Sequence, residues 1–418
     1  MQGPIRQWLQ AHATDAARFL SLLIRAASTA GLEREAQGLM AEKLAALGMD
    51  VDVWEQGGKE LLNHPYFCSP RTNFAGSPNV VGRLKGTGGG RSLIINGHID
   101  VVPPGDLEQW SRSPWSGHIE DGKIYGRGAT DMKGGTVAAL LAVEALRALG
   151  IKLKGDLVFE SVVEEESGGS GTLATILRGY RADAALIPEP SGMAIYPQQQ
   201  GSMWFRITVK GRVAHGGTRY RGVSAIEKAV VVIGQIEELE KKRNSLLSKK
   251  PLYQGVPIPV PINIGRITGG SWPSSVPDVV NLEGRMGVAP GERLEDARRE
   301  LESTLLALGN IDPWFREHPP VVEWFGAQWL PGSIALDHPL MDVLTRNCRK
   351  VLGAEPKIKA SPWGTDGGLL TQVAGIPTVV FGPGVTEVAH YPDEYIELKS
   401  ILEAAAIYAL TILEWCGS

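Results

Sequence analysis

Short apolar runs of strand length alternate with helical segments along the first half of the chain, and this alternation limits it to few folds. Residues 92–102 (SLIINGHIDVV), 157–163 and 184–187 are predicted to be strands. Strands with few polar residues are buried on both faces, which is typical of a sheet between helices. The segment 132–149 confines its polar residues to one stripe and is predicted to be a helix. The sequence therefore predicts an α/β fold with a mixed sheet covered by helices.

The pattern changes at Gly201, where apolar and polar residues begin to alternate as in a half-exposed strand. Ser224 and Glu227 form a capping box that opens a long charged helix. The elements predicted after it are strands at 261–268 and 279–288, a helix at 292–308, and a strand at 321–325. This βαββαβ order is the ferredoxin-like arrangement. Because a strand at 378–381 resumes the first pattern, we predict a smaller domain at 201–325 inserted into a larger one formed by 1–200 and 326–418.

Composition excludes several classes of protein. The 418 residues are 43% hydrophobic, and the net charge of −4 with both signs mixed gives no basic footprint for nucleic acid. Cys68, Cys348 and Cys416 are too widely spaced to indicate a disulfide framework or a cysteine zinc site. The N-terminus is predicted to be an amphipathic helix capped near Thr14, and no apolar run reaches the ~18 residues of a membrane span. We expect a cytoplasmic protein that binds neither nucleic acid nor membrane.

Three consecutive glutamates, Glu164, Glu165 and Glu166, follow a predicted buried strand and precede a glycine-rich turn. One explanation is a solvated acidic turn. A second is a dinucleotide fingerprint, because GGSGTLA at 168–174 contains G-x-G-x-x-A and Glu189 follows about 20 residues later. A third is a cation site. The three carboxylates would repel a pyrophosphate, which counts against the dinucleotide.

Other residues with metal-binding side chains stand at strand ends or in loops. His98 and Asp100 end one predicted strand, and the period of two places them on one face. Asp131 stands at a predicted helix start, Glu189 follows a third strand, and His390 follows a fourth. Each alone has an ordinary explanation, such as a helix N-cap for Asp131. Because sites gather at the carboxyl ends of strands in α/β sheets, together they favour a divalent metal with N and O ligands, such as zinc.

Six motifs in order, HIDVVPPG, GRGATDMKGG, EEESGGSGT, IPEP, GRVAHGG and AHYPDEY, resemble the signatures of the zinc-dependent aminoacylase/carboxypeptidase family. That family includes acetylornithine deacetylase, succinyl-diaminopimelate desuccinylase and glutamate carboxypeptidase. The resemblance implies a metal-binding α/β catalytic domain with an inserted lid and dimerisation domain, and hence a homodimer. It also implies that two divalent ions, zinc first and cobalt or manganese as alternatives, assist hydrolysis of the amide of a small N-acyl amine.

The resemblance implies a ligand set for the two ions. Asp131 would bridge them, His98 and Glu189 would complete the site of one, and Glu166 and His390 would complete the other. No role is implied for Glu164, which stands where relatives often carry aspartate.

The resemblance also implies catalytic and substrate-binding roles. Asp100 would orient His98, and Glu165 would be the general base that moves a proton from water to the leaving amine. His215 matches a lid histidine that reaches the oxyanion across the dimer, although it could instead simply cap a turn. The substrate contacts expected beside it are Arg285, Ser274, Trp272 and Thr365.

Four further segments, GSMWFR, TRYRGVSAIEK, GGSWPSSVP and SPWGTDGG, resemble a subgroup of the family, the formylaminopyrimidine deformylases of thiamine salvage. Their substrate is N-formyl-4-amino-5-aminomethyl-2-methylpyrimidine, and Ser274, where relatives often carry asparagine, also suggests a non-standard substrate. Three alternatives stay open. These are an acetylornithine or succinyl-diaminopimelate type deacylase or dipeptidase, an inactive metal-binding relative, and a dinucleotide-dependent enzyme.

Overall fold

The computed structural model describes residues 1–418, and the chain divides into two compact units. Unit 1 consists of Met1–Gln199, Gly332–Ser361 and Thr365–Ser418, whereas unit 2 consists of Gln200–Pro331 and Pro362–Gly364. Unit 2 is therefore inserted into unit 1. It extends beyond the predicted end at residue 325 because the last strand of unit 2 continues to Trp329 after a register shift.

Unit 1 is built on a nine-stranded sheet. Two of its strands, Leu93–His98 and Leu157–Val162, run parallel and are buried at every residue. The strand Leu93–His98 ends before the predicted residue 102, because its pairing with Leu157–Val162 stops at His98. In spatial order the strands are Asp50–Glu55, Pro78–Leu84, Leu157–Val162, Leu93–His98, Ala184–Ile187, Thr378–Val380, Ile195–Gln199 and Gly332–Ser333, with Ile358–Ser361 also paired to Ile195–Gln199.

Two long helices, Gly134–Ala148 and Leu398–Cys416, pack together in the core of unit 1. Most of their residues are alanine, leucine, valine or isoleucine, and most are buried. The other helices of unit 1 are Gln2–Ala11, Ala13–Arg25, Arg34–Ala46, Lys59–Leu62, Ser170–Leu177, Pro339–Leu352 and Gly367–Gln372. None of the helices in the chain is long and apolar enough to cross a membrane.

The predicted helix capped near Thr14 corresponds to Ala13–Arg25, whose N-cap is His12, and a helix that was not predicted, Gln2–Ala11, precedes it. The break lies at His12, whose backbone leaves helical values at φ −107° and ψ 13°. Its imidazole Nδ1 lies 2.8 Å from the carbonyl oxygen of Trp8, and its ring stacks on the Trp8 indole. This side-chain contact competes with continuation of the helix, and a sequence period does not report it.

A small antiparallel sheet in unit 1 consists of His118–Glu120, Lys123–Tyr125 and Tyr395–Glu397. The two-residue turn between the first two strands has positive φ at both Asp121 and Gly122, as a type I′ hairpin requires. The third strand directly follows the segment that contains His390. The sheet thereby attaches this C-terminal segment to the first half of the chain.

Unit 2 contains a four-stranded antiparallel sheet with helices. Met203 and Phe205 are buried, whereas Trp204 between them is exposed, as the alternation predicted. In spatial order the strands are Ile262–Gly269, Val279–Val288, Gly201–Lys210 and Val321–Trp329, with helices Ala225–Leu247, Leu294–Leu306 and Trp314–Glu317 and a strand pair Ala214–His215 and Ser275–Val276. The predicted fold class, a mixed α/β domain with a ferredoxin-like insertion, is confirmed.

A carboxyl group is buried inside the sheet of unit 1. Glu160 is 0% exposed and accepts hydrogen bonds from Asn96 Nδ2 at 2.9 Å and Thr175 Oγ1 at 3.3 Å, while its Oε1 has no partner. Burial raises the pKa of Glu160 to about 7, although the two hydrogen bonds act in the opposite direction. The folded protein therefore favours the neutral carboxyl.

We expect Glu160 to destabilise the fold as the pH rises from 4.5 to about 7. In this window the unfolded chain has lost the proton and the folded chain still holds it, so the free energy of unfolding falls with pH. Glu160→Gln removes this contribution. The melting temperature of the variant minus that of the wild type should therefore be larger at about pH 8 than at about pH 5. An equal difference at both pH values would contradict the raised pKa.

Candidate metal centre

Asp131 lies between two imidazole rings of unit 1. Its Oδ1 is 3.3 Å from His98 Nε2, and its Oδ2 is 3.3 Å from His390 Nε2. The backbone of Asp131 is not helical, with φ −121° and ψ 97°, and the helix begins only at Gly134. Asp131 is therefore a loop residue rather than an N-cap, and both of its carboxylate oxygens face a histidine.

A second carboxylate lies beside each of these histidines. Glu189 Oε1 is 3.6 Å from His98 Nε2, and Glu166 Oε1 is 3.1 Å from His390 Nε2. Ligand atoms of His98, Asp131 and Glu166 all lie within 4.8 Å of one another, as do those of His98, Glu165 and Glu189. Unit 1 thus gathers nitrogen and oxygen donors from five different loops or strand ends.

The carboxylates of this cluster carry more negative charge than the two imidazoles can balance. Burial raises the pKa of Glu165 and that of Glu189 well above the ordinary value for glutamate. Burial also opposes ionisation of Asp131, but its hydrogen bonds with His390 and His98 hold the pKa of Asp131 below its usual range. The charge of divalent cations would balance these carboxylates, and mixed N and O donors suit zinc, cobalt or manganese. The residues present therefore fit a metal site.

The side chain of His98 is held by the main chain of Asp100. His98 Nδ1 donates to the Asp100 carbonyl oxygen at 2.8 Å, which leaves Nε2 to face the cluster. The Asp100 carboxylate is 3.8 Å from Nδ1 and instead accepts the N–H groups of Glu165 at 3.3 Å and Glu166 at 3.2 Å. Asp100 thus contacts His98 as predicted, through its main-chain carbonyl. The carbonyl orients the ring, and the carboxylate orders the turn of the glutamates.

The three consecutive glutamates point to different partners because the backbone turns sharply at Glu164, where φ is +67°. The Glu164 side chain is buried, accepts a hydrogen bond from Ser69, and lies 2.6 Å from Arg71 Nε. Arg71 also donates to Glu33 Oε1 at 2.7 Å. Glu164 is thus part of a buried ion-pair network behind the turn. Sequence reasoning missed Arg71 and Glu33 because no motif connects segments so far apart.

Thr365 is 2% exposed in unit 1, and its hydroxyl donates to Gln199 Oε1 and accepts from the Gly367 N–H at 3.0 Å. These hydrogen bonds hold the Thr365 hydroxyl inside unit 1, and its contact with substrate stays a prediction. The neighbouring Asp366 accepts from Thr172 Oγ1 at 2.7 Å, and burial raises the pKa of Asp366 to about 6.

The remaining candidate residues belong to unit 2. His215 is exposed, and its Nδ1 accepts the Gly217 N–H at 3.1 Å, as in the turn-capping alternative. Ser274 lies beside the turn that follows His215. Its carbonyl oxygen accepts the N–H of Gly216 at 2.7 Å.

Trp272 and Arg285 are the other two candidates in unit 2. Trp272 is 69% exposed. Arg285 lies in the strand Val279–Val288 opposite Trp204, and its guanidinium makes no ion pair. Partial burial lowers the pKa of Arg285.

Comparison with characterised proteins relates this chain to hydrolases of amide bonds. It is 36% identical to N-formyl-4-amino-5-aminomethyl-2-methylpyrimidine deformylase of Halalkalibacterium halodurans, over 91% of this chain and 89% of that protein. The protein of the same name from Bacillus subtilis is 33% identical over 99% of this chain and 97% of its own. Acetylornithine deacetylase of Salmonella newport is 30% identical over 82% and 85%.

Solved structures share the fold. A tripeptidase from Staphylococcus aureus superposes with a TM-score of 0.73 at 24% identity, covering 96% of this chain and 98% of that one. The di-peptidase Dug1p of Saccharomyces cerevisiae gives a TM-score of 0.76 at 14% identity, covering 100% and 99%. The model of peptidase family M20/M25/M40 matches residues 94–414. The chain is therefore a hydrolase that acts on amide bonds, and it belongs to peptidase family M20/M25/M40.

Proposed function

We propose that this chain hydrolyses a small N-acyl amine with the help of two divalent ions, most suitably zinc. The observation that carries the proposal is the position of Asp131, whose two oxygens face His98 and His390 at 3.3 Å each. A bridging carboxylate between two nitrogen donors suits a pair of ions. Asp131 would bridge, His98 and Glu189 would hold one ion, and Glu166 and His390 the other.

Glu165 is the group we assign to proton transfer. When bound, the ions would lower the pKa of water and polarise the amide carbonyl. Glu165 is 7% exposed beside His98, and its backbone N–H is fixed by Asp100. Burial raises the pKa of its carboxyl, which favours a base that can later return its proton. Glu165 takes a proton as the water oxygen attacks the carbonyl carbon, and it gives that proton to the amine nitrogen as the C–N bond breaks.

Replacing Glu165 and Glu166 one at a time distinguishes the proposed general base from the proposed metal ligand. We expect Glu165→Gln to retain its metal content and to lower kcat by ~10²–10⁴, because only proton transfer is lost. Glu166→Gln should instead lower metal occupancy, since it removes an anionic ligand. Metal content by mass spectrometry and kcat at saturating substrate measure the two effects. Equal loss of metal in both variants would show that the two roles are assigned wrongly.

We further propose that the active form is a homodimer in which His215 acts on the site of the second copy. The edge strand Ile262–Gly269 is exposed over most of its length, with Ile267 at 57%, and an unpaired edge can accept a second chain. Because His215 Nδ1 accepts the Gly217 N–H, its Nε2 carries the proton. An exposed N–H donor of this kind suits the developing oxyanion of the reaction.

Mixing two inactive variants tests this arrangement. A heterodimer of Glu165→Gln and His215→Ala subunits contains one site with both residues intact, if His215 acts in trans. Random pairing makes half of the dimers mixed, so about a quarter of wild-type activity should return. Subunit exchange is verified with two affinity tags. Exchange without recovery of activity would place His215 in the site of its own chain or outside catalysis.

For the substrate, we propose N-formyl-4-amino-5-aminomethyl-2-methylpyrimidine, which would yield formate and the free amine. Support comes from the names of the relatives at 36% and 33% identity, compared with 30% for acetylornithine deacetylase. The exposed indole of Trp272 is suited to stack on a pyrimidine ring. An acetylornithine-like substrate is the second candidate, because the unpaired Arg285 guanidinium could hold its carboxylate.

Measuring kcat/KM for a panel of substrates distinguishes the two candidate substrates. The zinc-loaded enzyme should give a higher kcat/KM for the formylpyrimidine than for acetylornithine, succinyl-diaminopimelate and dipeptides. A preference for acetylornithine or a dipeptide by ~10-fold, which is ~1.4 kcal/mol in transition-state free energy, would refute the formylpyrimidine as substrate. The assignment of the metal ligands would survive that result. Arg285→Gln serves as the matched variant, because it should weaken turnover of carboxylate substrates selectively.

A further inference from the structure

A buried ion pair that the proposed mechanism does not use lies behind the candidate metal centre. Arg127 and Glu394 are 2% and 0% exposed, and Arg127 Nη1 is 2.7 Å from Glu394 Oε2. Two charges removed from water are stabilised by further hydrogen bonds to their remaining donors and acceptors, although Arg127 Nε has none. The additional side-chain hydrogen bonds of this pair go to the two loops that contain Asp131 and His390.

The carboxylate of Glu394 holds the first loop. Its Oε1 accepts the N–H of Thr130 at 2.9 Å and that of Asp131 at 3.1 Å. The Glu394 carbonyl also accepts the N–H of Gly126 at 2.8 Å. Because Asp131 is not helical, these bonds replace the helical bonds that would otherwise fix its backbone.

The guanidinium of Arg127 holds the second loop. Its Nη2 donates to the His390 carbonyl at 3.2 Å and its Nη1 to the Tyr391 carbonyl at 3.4 Å. His390 has φ +64°, a left-handed conformation that is disfavoured for residues with a Cβ. Such a backbone persists only where surrounding contacts hold it. The planar fork of arginine supplies two such contacts at once.

From these contacts we infer that Arg127 and Glu394 are a positioning pair that sets the separation of Asp131 and His390 before a metal binds. The pair thereby raises metal affinity and takes no part in proton transfer. This inference rests on the proposed function, in which Asp131 and His390 are metal ligands. Groups that hold the ligands of a metal typically change its affinity 10–100-fold when they are replaced.

The test is the Zn²⁺ dissociation constant of metal-stripped Glu394→Gln, measured by competition with a chromophoric chelator. Glutamine keeps an oxygen for the Thr130 and Asp131 N–H groups but loses the charge that balances Arg127. We expect the dissociation constant to rise ~10–100-fold, while kcat at saturating Zn²⁺ stays close to that of the wild type. Arg127→Lys keeps the positive charge but loses the fork to the two carbonyls, so it should also raise the dissociation constant.

Glu292→Gln is the matched control. Arg243 is 8% exposed in unit 2, lies 2.7 Å from Glu292 Oε2 and also pairs with Glu300, so this variant removes one charge from a largely buried ion-pair cluster. It should lower the melting temperature and leave the Zn²⁺ dissociation constant unchanged. An equal rise in the dissociation constant for Glu292→Gln would attribute the effect to general destabilisation and overturn the inference.

An unchanged Zn²⁺ dissociation constant in folded Glu394→Gln would also overturn the inference, as would a fall in kcat without a change in Zn²⁺ affinity. If Glu394→Gln does not fold, the same measurement on Arg127→Lys decides. Glu166→Gln and His390→Ala separate the inference from the proposed function. Should neither of them weaken Zn²⁺ binding, the ligand set itself is wrong; should both weaken it while Glu394→Gln does not, only the inference fails.

Discussion

The structure of unit 1 depends on holding several carboxylates close together and away from water. Two unit charges 4 Å apart interact by ~4 kcal/mol near a protein surface, so such a cluster repels itself. Asp131 is stabilised by two imidazoles, whereas burial keeps the pKa of Glu165 and Glu189 high. The donor side chains of the cluster project from strand ends and short loops. Because contacts outside the cluster hold the backbone of these segments, the repulsion cannot move the side chains apart. Under the proposed function, a bound cation would relieve this repulsion and link metal binding to the stability of the fold.

Three acidic residues lie around the cluster without pointing into it. Each of them binds an arginine or main-chain N–H groups instead. Glu164 pairs with Arg71, Glu394 pairs with Arg127, and the Asp100 carboxylate accepts two main-chain N–H groups. Removing Arg71 or Arg127 would leave an uncompensated buried charge, which is more damaging than the loss of a surface pair. The site is therefore surrounded by a layer of ion pairs and hydrogen bonds that fixes its geometry.

Sequence reasoning reached the fold class and the residues of the cluster because both have local signatures. Buried strands appear as apolar runs, and His98, Asp131, Glu166, Glu189 and His390 each stand in a short motif. Reasoning from the sequence failed where the deciding contact joins distant segments. Arg71 and Arg127 meet partners 93 and 267 residues away, and no local pattern reports such contacts. It also placed one strand end too late, since Leu93–His98 stops before the predicted end at residue 102.

The insertion of unit 2 determines the order in which a ribosome can complete the fold. The strand Thr378–Val380 lies in the sheet between Ala184–Ile187 and Ile195–Gln199, and it is made almost 200 residues after them. At a synthesis rate of ~5–20 residues per second, the nascent sheet lacks this strand for about 10–40 s. The helix Gly134–Ala148 likewise lacks the helix that packs against it, Leu398–Cys416, until that segment has been synthesised. Unit 2 has nearly all of its sequence in one continuous stretch and can fold during this interval, whereas unit 1 exposes apolar surface until the segment Leu398–Cys416 has been made. Nascent unit 1 therefore stays incomplete until the helix Leu398–Cys416 has been made, and until then it needs protection of its apolar surface more than unit 2 does.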